Sequence, residues 1–532
     1  MSNGALSPIN RGLARVPRRA DQKSDEHLRK TFVDSGVTAA LEIDDHQVMF
    51  GRRGTGKTHA LRYAQGVIES QGHLSIYVDL RTVGSPEGLF AAGAVPETER
   101  TARLLVDLLG QVHEELLKYV LDNADLLGNG RLVAGLDALV DGITEVRVPL
   151  AEVEAEAERT TTSGSSGGLT AAVGPAATIG VSLGSENTDG TGSRLRELRQ
   201  GPERIHLHFA AVAQALRTIL GELAPRRVWL LLDEWSSVPS SIQPLLGEFL
   251  VRCVLPLANA TVKIAAIEQQ TVFRRALDDG AEVGIELGAD VTANVNLDDF
   301  MVFEQNEDRA RSFFVELLTA HLMSDELPAG VLGTGNLIAK GFKDRRAFDE
   351  LVRAAEGVPR DAINIAAKAG MQAGSDRISV DNVRSAAQAW FTSDKEAALR
   401  SREEATALLR WVIDQVIRGK RSRGFLVNQD QSRDGLLLAL FDARVLHVVR
   451  RGYSAQDRPG ERFDVWVIDY GAYVDLISTT YEPKGLFNVG ADSPEWVDVP
   501  PQDLRAIRRA ILDLGQFHQA RAEKLPLDSP SP

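Results

Sequence analysis

Two short runs of this 532-residue chain combine residue types that can bind and cleave a phosphoanhydride. The first is Gly51-Arg52-Arg53-Gly54-Thr55-Gly56-Lys57-Thr58, preceded by the apolar Val48-Met49-Phe50 and followed by a helix-favouring stretch that starts at His59. Glycines let backbone N–H groups turn inward around a phosphate, and the following helix N-terminus adds positive potential. A lysine at this position reaches the β- and γ-phosphates, and the hydroxyl after it can ligate Mg²⁺. Gly51 through His59 are therefore the expected nucleotide contacts. The second run, Val228-Trp229-Leu230-Leu231-Leu232, ends in Asp233-Glu234. A carboxylate at the end of a buried strand can orient Mg²⁺ and its waters, and a second one residue on can polarise the attacking water. The expected metal ligands are Thr58 and Asp233, with Glu234 as general base and Lys57 as its catalytic partner. No Asn/Thr-Lys-x-Asp run of the guanine-specific kind occurs, so ATP is the expected nucleotide.

Both runs need strands to hold them. Apolar segments at residues 48–50, 228–232 and 262–267 alternate with helical patterns, as at 205–223, which predicts an α/β fold with a parallel, helix-covered sheet. The length suits roughly three or four domains. The expected order is a flexible basic arm (1–30, with Arg11, Arg15, Arg18, Arg19 and Lys23), an α/β nucleotide-binding core (31–304), a helical lid (305–400), and a winged-helix-like unit (401–482). A C-terminal part (483–532) follows, with one amphipathic helix over 501–521 and a disordered Pro/Ser-rich end. Inside the core, residues 160–193 are rich in Gly, Ser and Thr and lack any aromatic or basic residue, the mark of an insertion or linker. A hairpin closing at Gly174-Pro175 and a mobile segment are equal readings of it.

The glycine run, the strand-like run at 75–82 (SIYVDLRT) and LLLDEW together resemble the AAA+ ATPases, in particular the origin-recognition and initiator clade. The run at 356–369 (EGVPRDAINIAAKA) resembles that clade's sensor-2 element, which implies that Arg360 reaches the γ-phosphate from the lid. The resemblance spans residues 31–391, and initiator proteins carry a winged helix in the same order. It implies a P-loop AAA+ fold, ATP with Mg²⁺, slow ATP hydrolysis, double-stranded DNA as a partner of the winged-helix-like unit, and assembly into a homo-oligomer or with a protein partner.

The chain departs from the clade's pattern in several places. Lys57 and Asp233 are 176 residues apart (233 minus 57), so residues 91–201 form an elaboration. Gln269 stands where the family's sensor 1 is an Asn or Thr, and is expected to take that role. Arg274 and Arg275, expected on a helix after the fourth strand, are the available arginine-finger residues. The C-terminal unit shows one clear helix between residue 425 and its wing, where a standard helix-turn-helix has two.

The net charge of −14 argues against a surface that wraps nucleic acid as a whole, so any DNA contact must be local. The C-terminal unit offers Arg418, Lys420, Arg421 and Arg423, and wing residues Arg450, Arg451, Arg458 and Arg462 around Tyr453. Acidic residues nearly balance them, so DNA binding and protein docking are equal readings. The single cysteine, Cys253, excludes an internal disulfide and fits a reducing cytoplasm. No apolar run reaches the length of a membrane span. Two functional readings follow: an initiator-type ATP switch, and a signalling or scaffold ATPase of the stress or phage-defence kind whose nucleotide state controls a protein partner.

Overall fold

The computed structural model describes residues 6–17, 23–84, 95–144, 146–147, 150–154, 196–200, 204–205, 207–277, 280–299, 306–324, 332, 336–418, 423–454, 460–474 and 510–522. The chain divides into two compact units, one of residues 1–82 with 223–532, the other Val83–Glu222.

The larger unit is built on five strands, β1 (Gln47–Phe50), β2 (Leu74–Asp79), β3 (Val228–Asp233), β4 (Ala260–Ala266) and β5 (Thr292–Asn296). They are parallel and ordered β5-β1-β4-β3-β2. Strands β1, β3 and β4 are buried along their whole length, which is why they read as continuous apolar runs rather than alternating ones. Helix α3 (Lys57–Ser70) packs Leu61, Ala64 and Ile68 with Met49, Trp229 and Leu231 from the sheet. The carboxyl ends of β1, β3 and β4 thus share one edge of the sheet, where ligands of open α/β folds bind.

The unit Val83–Glu222 holds helices α4 (Glu97–Asp122), α5 (Gly130–Thr144) and α6 (Phe209–Leu223). Helix α4 buries Leu104, Leu105, Leu108, Leu109, Val112 and Leu116 at the spacing of one amphipathic face. The strand pairs 146–147 with 204–205 and 150–154 with 196–200 are antiparallel. The Gly/Ser/Thr-rich stretch 160–193, with Gly174-Pro175, lies outside the described residues.

The N-terminal residues depart from expectation. Helix α1 (Pro8–Arg15), capped by the Ser7 hydroxyl, buries Ile9, Leu13 and Val16 in the core of the helical region, beside residues such as Phe314, Phe348 and Ile365. The Asn10 amide donates to the carbonyls of Gly374 (2.8 Å) and Asp376 (2.9 Å). Arg11 and Arg15 are exposed on this helix, so a basic composition conceals an apolar stripe at 9, 13 and 16; Arg18 and Arg19 lie outside the described residues. Helix α2 (Asp25–Thr31) follows. The helical region itself contains α7 (Glu307–Ser324), α8 (Arg345–Ala354), α9 (Pro359–Ala373) and α10 (Val380–Trp390).

The C-terminal region begins with α11 (Glu403–Trp411), which runs into a π-helical turn, Val412–Arg418. Strand β6 (Gly424–Asn428), helix α12 (Gly435–Asp442) and the hairpin β7 (Leu446–Ser454) and β8 (Arg462–Ile468) follow. One helix separates β6 from the hairpin, the winged-helix-like arrangement with a single helix. The expected single helix over 501–521 is replaced in its described part by β9 (Ile511–Leu512), parallel to β6, and α13 (Leu514–Ala522). Pairing with the open edge of β6 outweighs helical periodicity there, and the Asp513 carboxylate caps the new helix start through the Gly515 N–H at 2.9 Å. After β8 the chain lies against α10: a Cβ on Gly471 would fall 2.5 Å from the Ala387 carbonyl, so only glycine allows this approach.

Leu13→Ala is expected to lower the stability of the chain by about 2–4 kcal/mol, read from urea unfolding; an unchanged midpoint would mean that α1 is not part of the core.

Candidate functional site

Gly51 leaves β1 with its N–H on the Ala266 carbonyl of β4 at 3.2 Å, so the glycine loop starts in the plane of the sheet. Gly54 and Gly56 have φ of 89° and 101°, conformations that side chains disfavour and that turn the backbone back toward α3. A Cβ on Gly56 would meet nothing within 4 Å; the loop is open there, next to the first-turn N–H groups of α3, which have no intrahelical acceptors. The Lys57 amine is buried and donates to the carbonyls of Gly51 (2.7 Å) and Arg52 (3.1 Å). Burial lowers its pKa, while Glu234, Asp233 and Asp298 pull it back up.

Asp233 is fully buried at the end of β3. Its Oδ2 accepts from the Thr58 hydroxyl at 2.6 Å and from the Tyr77 hydroxyl at 2.7 Å, and its Oδ1 from the Glu234 N–H at 2.8 Å. Burial and the Asp233 charge push the Tyr77 phenol up, so it stays a donor. Carboxylate and hydroxyl oxygens at this spacing are the hard donors that suit Mg²⁺, though among the described residues no group of three His, Cys, Asp or Glu forms a metal cluster. Glu234 has a φ of 57°, a left-handed conformation that is costly for a non-glycine residue and typical of functional sites. Arg81, bound to Asp79 at 2.5 Å, has Nη1 3.8 Å from the Glu234 carboxylate. Tyr77 and Arg81 were not singled out in the sequence, although both fall in the run at 75–82 whose Asp79 lies in register with Asp233.

Arg360 arrives from the helical region. Pro359 starts α9, and the Arg360 N–H donates to the Gly54 carbonyl at 3.2 Å. A Cβ on Gly54 would stand 2.9 Å from the Arg360 Cβ, so α9 rests directly on the loop.

The side chains of five expected residues have other surroundings than the open side of the loop. The Arg52 side chain is buried and turned away from the open side of the loop: Nε donates to Asp298 Oδ1 at 2.6 Å, one Nη to the Glu356 carbonyl at 3.0 Å, and the other meets His447 Nδ1. Arg53 is exposed, and its charge acts on Asp442 of α12. The His59 ring points to α2, with Nε2 2.5 Å from the Leu28 carbonyl and an edge-on contact with Phe32. Gln269 sits in the turn Glu268–Gln270 after β4, and among the described residues no hydrogen bond joins its side chain to the loop. Arg274 lies on a short strand, Arg274–Ala276, rather than on a helix, and pairs with Glu282 (2.5 Å) and Glu286 (2.8 Å).

Behind the loop lies a chain of buried charges. His447 Nε2 is 3.0 Å from Asp469 Oδ2; Lys395 Nζ is 2.5 Å from that same oxygen and 2.7 Å from Asp361 Oδ2; Arg444 pairs with Asp361 at 2.6 Å and with Asp394. Arg423 pairs with Glu356, whose φ of 50° reverses the chain ahead of α9. Burial, reinforced by the Arg52 charge, pushes the His447 pKa down to about 3. Burial alone would raise Asp469, but Lys395 and His447 outweigh it and hold the carboxyl well below the usual range. In the wing, Arg451 pairs with Glu268, while Arg450 faces the Tyr453 ring at 5.8 Å. Lys420, Arg421 and Arg458 lie outside the described residues.

No helix among the described residues is long and apolar enough to cross a membrane. No protein-family model matches the sequence, and no curated protein does. Among solved structures the chain is similar to the crystal structure of Cdc6p from Pyrobaculum aerophilum, at 10% identity over 87% of this chain and 95% of that one, with a TM-score of 0.30. A likeness that loose adds nothing to the geometry.

The charge chain sets a pH dependence. The folded state keeps His447 neutral although its ordinary pKa is 6.5, so the stability it contributes is complete above pH 6.5 and is lost as pH falls toward 3. Asp469 acts in the same direction at lower pH. The urea midpoint of the wild-type chain is therefore expected to fall from pH 7 to pH 5, with a shallower fall in His447→Gln; equal slopes would contradict this role for His447.

Proposed function

We propose that the chain is an ATP-binding and ATP-hydrolysing molecular switch of the AAA+ initiator type. The observation that carries this reading is the convergence of Lys57, Thr58, Asp233, Glu234 and Arg360 on one glycine loop, with the Thr58 hydroxyl already on Asp233 at 2.6 Å. In this reading the loop N–H groups and the N-terminus of α3 bind the β-phosphate, and Lys57 leaves its two carbonyl partners for the β- and γ-phosphate oxygens. Thr58 and Asp233 hold Mg²⁺, which when bound neutralises charge on the phosphate oxygens. Glu234 takes the proton from a water as its oxygen bonds to the γ-phosphorus and the bridging P–O bond breaks, releasing ADP and phosphate. Arg360, beside Gly54, adds positive charge at the γ-phosphate, so that the position of the helical region reports which nucleotide is bound. The sensor-1 role given to Gln269 has no support in its contacts.

The partner controlled by the switch has two readings. Duplex DNA would be gripped by cations of the winged-helix-like region. The pairing of Arg451 with Glu268 favours the second, a protein partner or a further copy of the chain, because one wing cation is already neutralised by the core.

Lys57→Ala is expected to abolish ATP binding, seen by calorimetry. Glu234→Gln should still bind ATP while its turnover drops roughly 100-fold or more; near-normal turnover would remove Glu234 from the role of base. Steady-state hydrolysis with and without duplex DNA at two salt concentrations separates the partners: a salt-sensitive response to DNA supports the initiator reading, and Glu234-dependent turnover indifferent to DNA supports the scaffold reading.

A further inference from the structure

We infer that Arg52 and His447 form a latch between the phosphate loop and the C-terminal region, which makes His447 a positioning residue for the nucleotide site. The inference rests on the nucleotide-binding reading above and adds how that site is regulated. Arg52 has a double part in the geometry. Its backbone belongs to the loop: the Arg52 carbonyl accepts from the Lys57 amine at 3.1 Å and from the Thr55 hydroxyl at 2.8 Å, and its N–H donates to Asp298 Oδ2 at 2.9 Å. Its side chain reaches three different elements: Asp298 after β5, the Glu356 carbonyl ahead of α9, and His447 on β7.

A guanidinium is donor-only, so the His447 Nδ1 that faces it must be an acceptor. The proton then sits on Nε2, directed at Asp469. Asp469 is held by Lys395, Lys395 also binds Asp361, and Asp361 is the neighbour of Arg360, which rests on Gly54. The contacts therefore close a ring that leaves the loop at Arg52 and returns to it at Gly54. Arg52, His447, Asp469, Lys395 and Asp361 are all nearly inaccessible to solvent. Outside this ring, Arg451 of β7 is paired with Glu268, in the turn after β4.

Opening one contact of such a ring leaves buried charges unpaired, which is strongly unfavourable, so the C-terminal region docks or releases as a whole. The docked arrangement fixes Arg52, and with it the two carbonyls on which Lys57 rests. A preformed loop binds phosphate with less reorganisation, and by reciprocity bound nucleotide favours docking by the same factor.

The test is Mg·ADP calorimetry on the full-length chain as wild type, Lys57→Ala, His447→Ala and His447→Asn, each with its folded state checked by circular dichroism. His447→Ala is expected to raise Kd about tenfold, and His447→Asn, whose side-chain oxygen can take the place of Nδ1, to recover most of that loss. A folded His447→Ala with wild-type Kd overturns the coupling while leaving the nucleotide site standing. His447→Asn as weak as His447→Ala overturns it too, since the defect then follows the loss of the ring and not of the acceptor. A wild type that binds no Mg·ADP, or a Lys57→Ala that binds as wild type does, overturns the nucleotide reading itself and the coupling with it.

Discussion

A guanidinium buried in a protein must have its N–H groups satisfied, and Arg52 meets that requirement with partners that no single element of this chain can supply. Asp298, the Glu356 carbonyl and His447 come from three regions far apart in sequence. Two of them are in turn fixed by their own neighbours, Glu356 by a left-handed backbone and Arg423, His447 by Asp469, which Lys395 holds. The geometry of the glycine loop is thereby tied to the α9 region and the winged-helix-like region through one side chain. Arg360 adds a second tie from α9, through the carbonyl of Gly54.

Two groups of side chains adjoin the same loop, Lys57, Thr58, Asp233 and Glu234 on one hand and the charge chain that starts at Arg52 on the other. Lys57, Thr58, Asp233 and Glu234 lie at the open carboxyl edge of the sheet, where Tyr77 and Thr58 both donate to one oxygen of Asp233. In the charge chain, Arg52, His447, Asp469, Lys395 and Asp361 are nearly inaccessible to solvent. This separation gives the two arginines of the loop distinct parts: Arg52 faces inward to the protein, and Arg53 outward beside Asp442.

The part of the site that depends on local chain geometry was legible in the sequence. Glycines that need positive φ, a lysine at the start of a helix, and two carboxylates after a run of apolar residues declare themselves by type and spacing. What depends on distant partners was not. Arg52 and His59 were assigned to phosphate because they adjoin the loop in sequence, yet one is claimed by His447 and the other by the Leu28 carbonyl. Tyr77 carries no motif, since its role exists only through the pairing of β2 with β3. The stripe of Ile9, Leu13 and Val16 was hidden among arginines, and the strand Ile511–Leu512 exists because β6 offers an edge to pair with. The long interval between Lys57 and Asp233 contains the unit Val83–Glu222, in which the described helices are amphipathic.

The most direct measurement is amide hydrogen exchange of the intact chain with and without Mg·ATP, followed by mass spectrometry. The account predicts slower exchange with nucleotide at residues 51–58 and in the first turn of α3, accompanied by slower exchange in β7 around His447. Exchange at residues 51–58 that is unaffected by saturating Mg·ATP would contradict it.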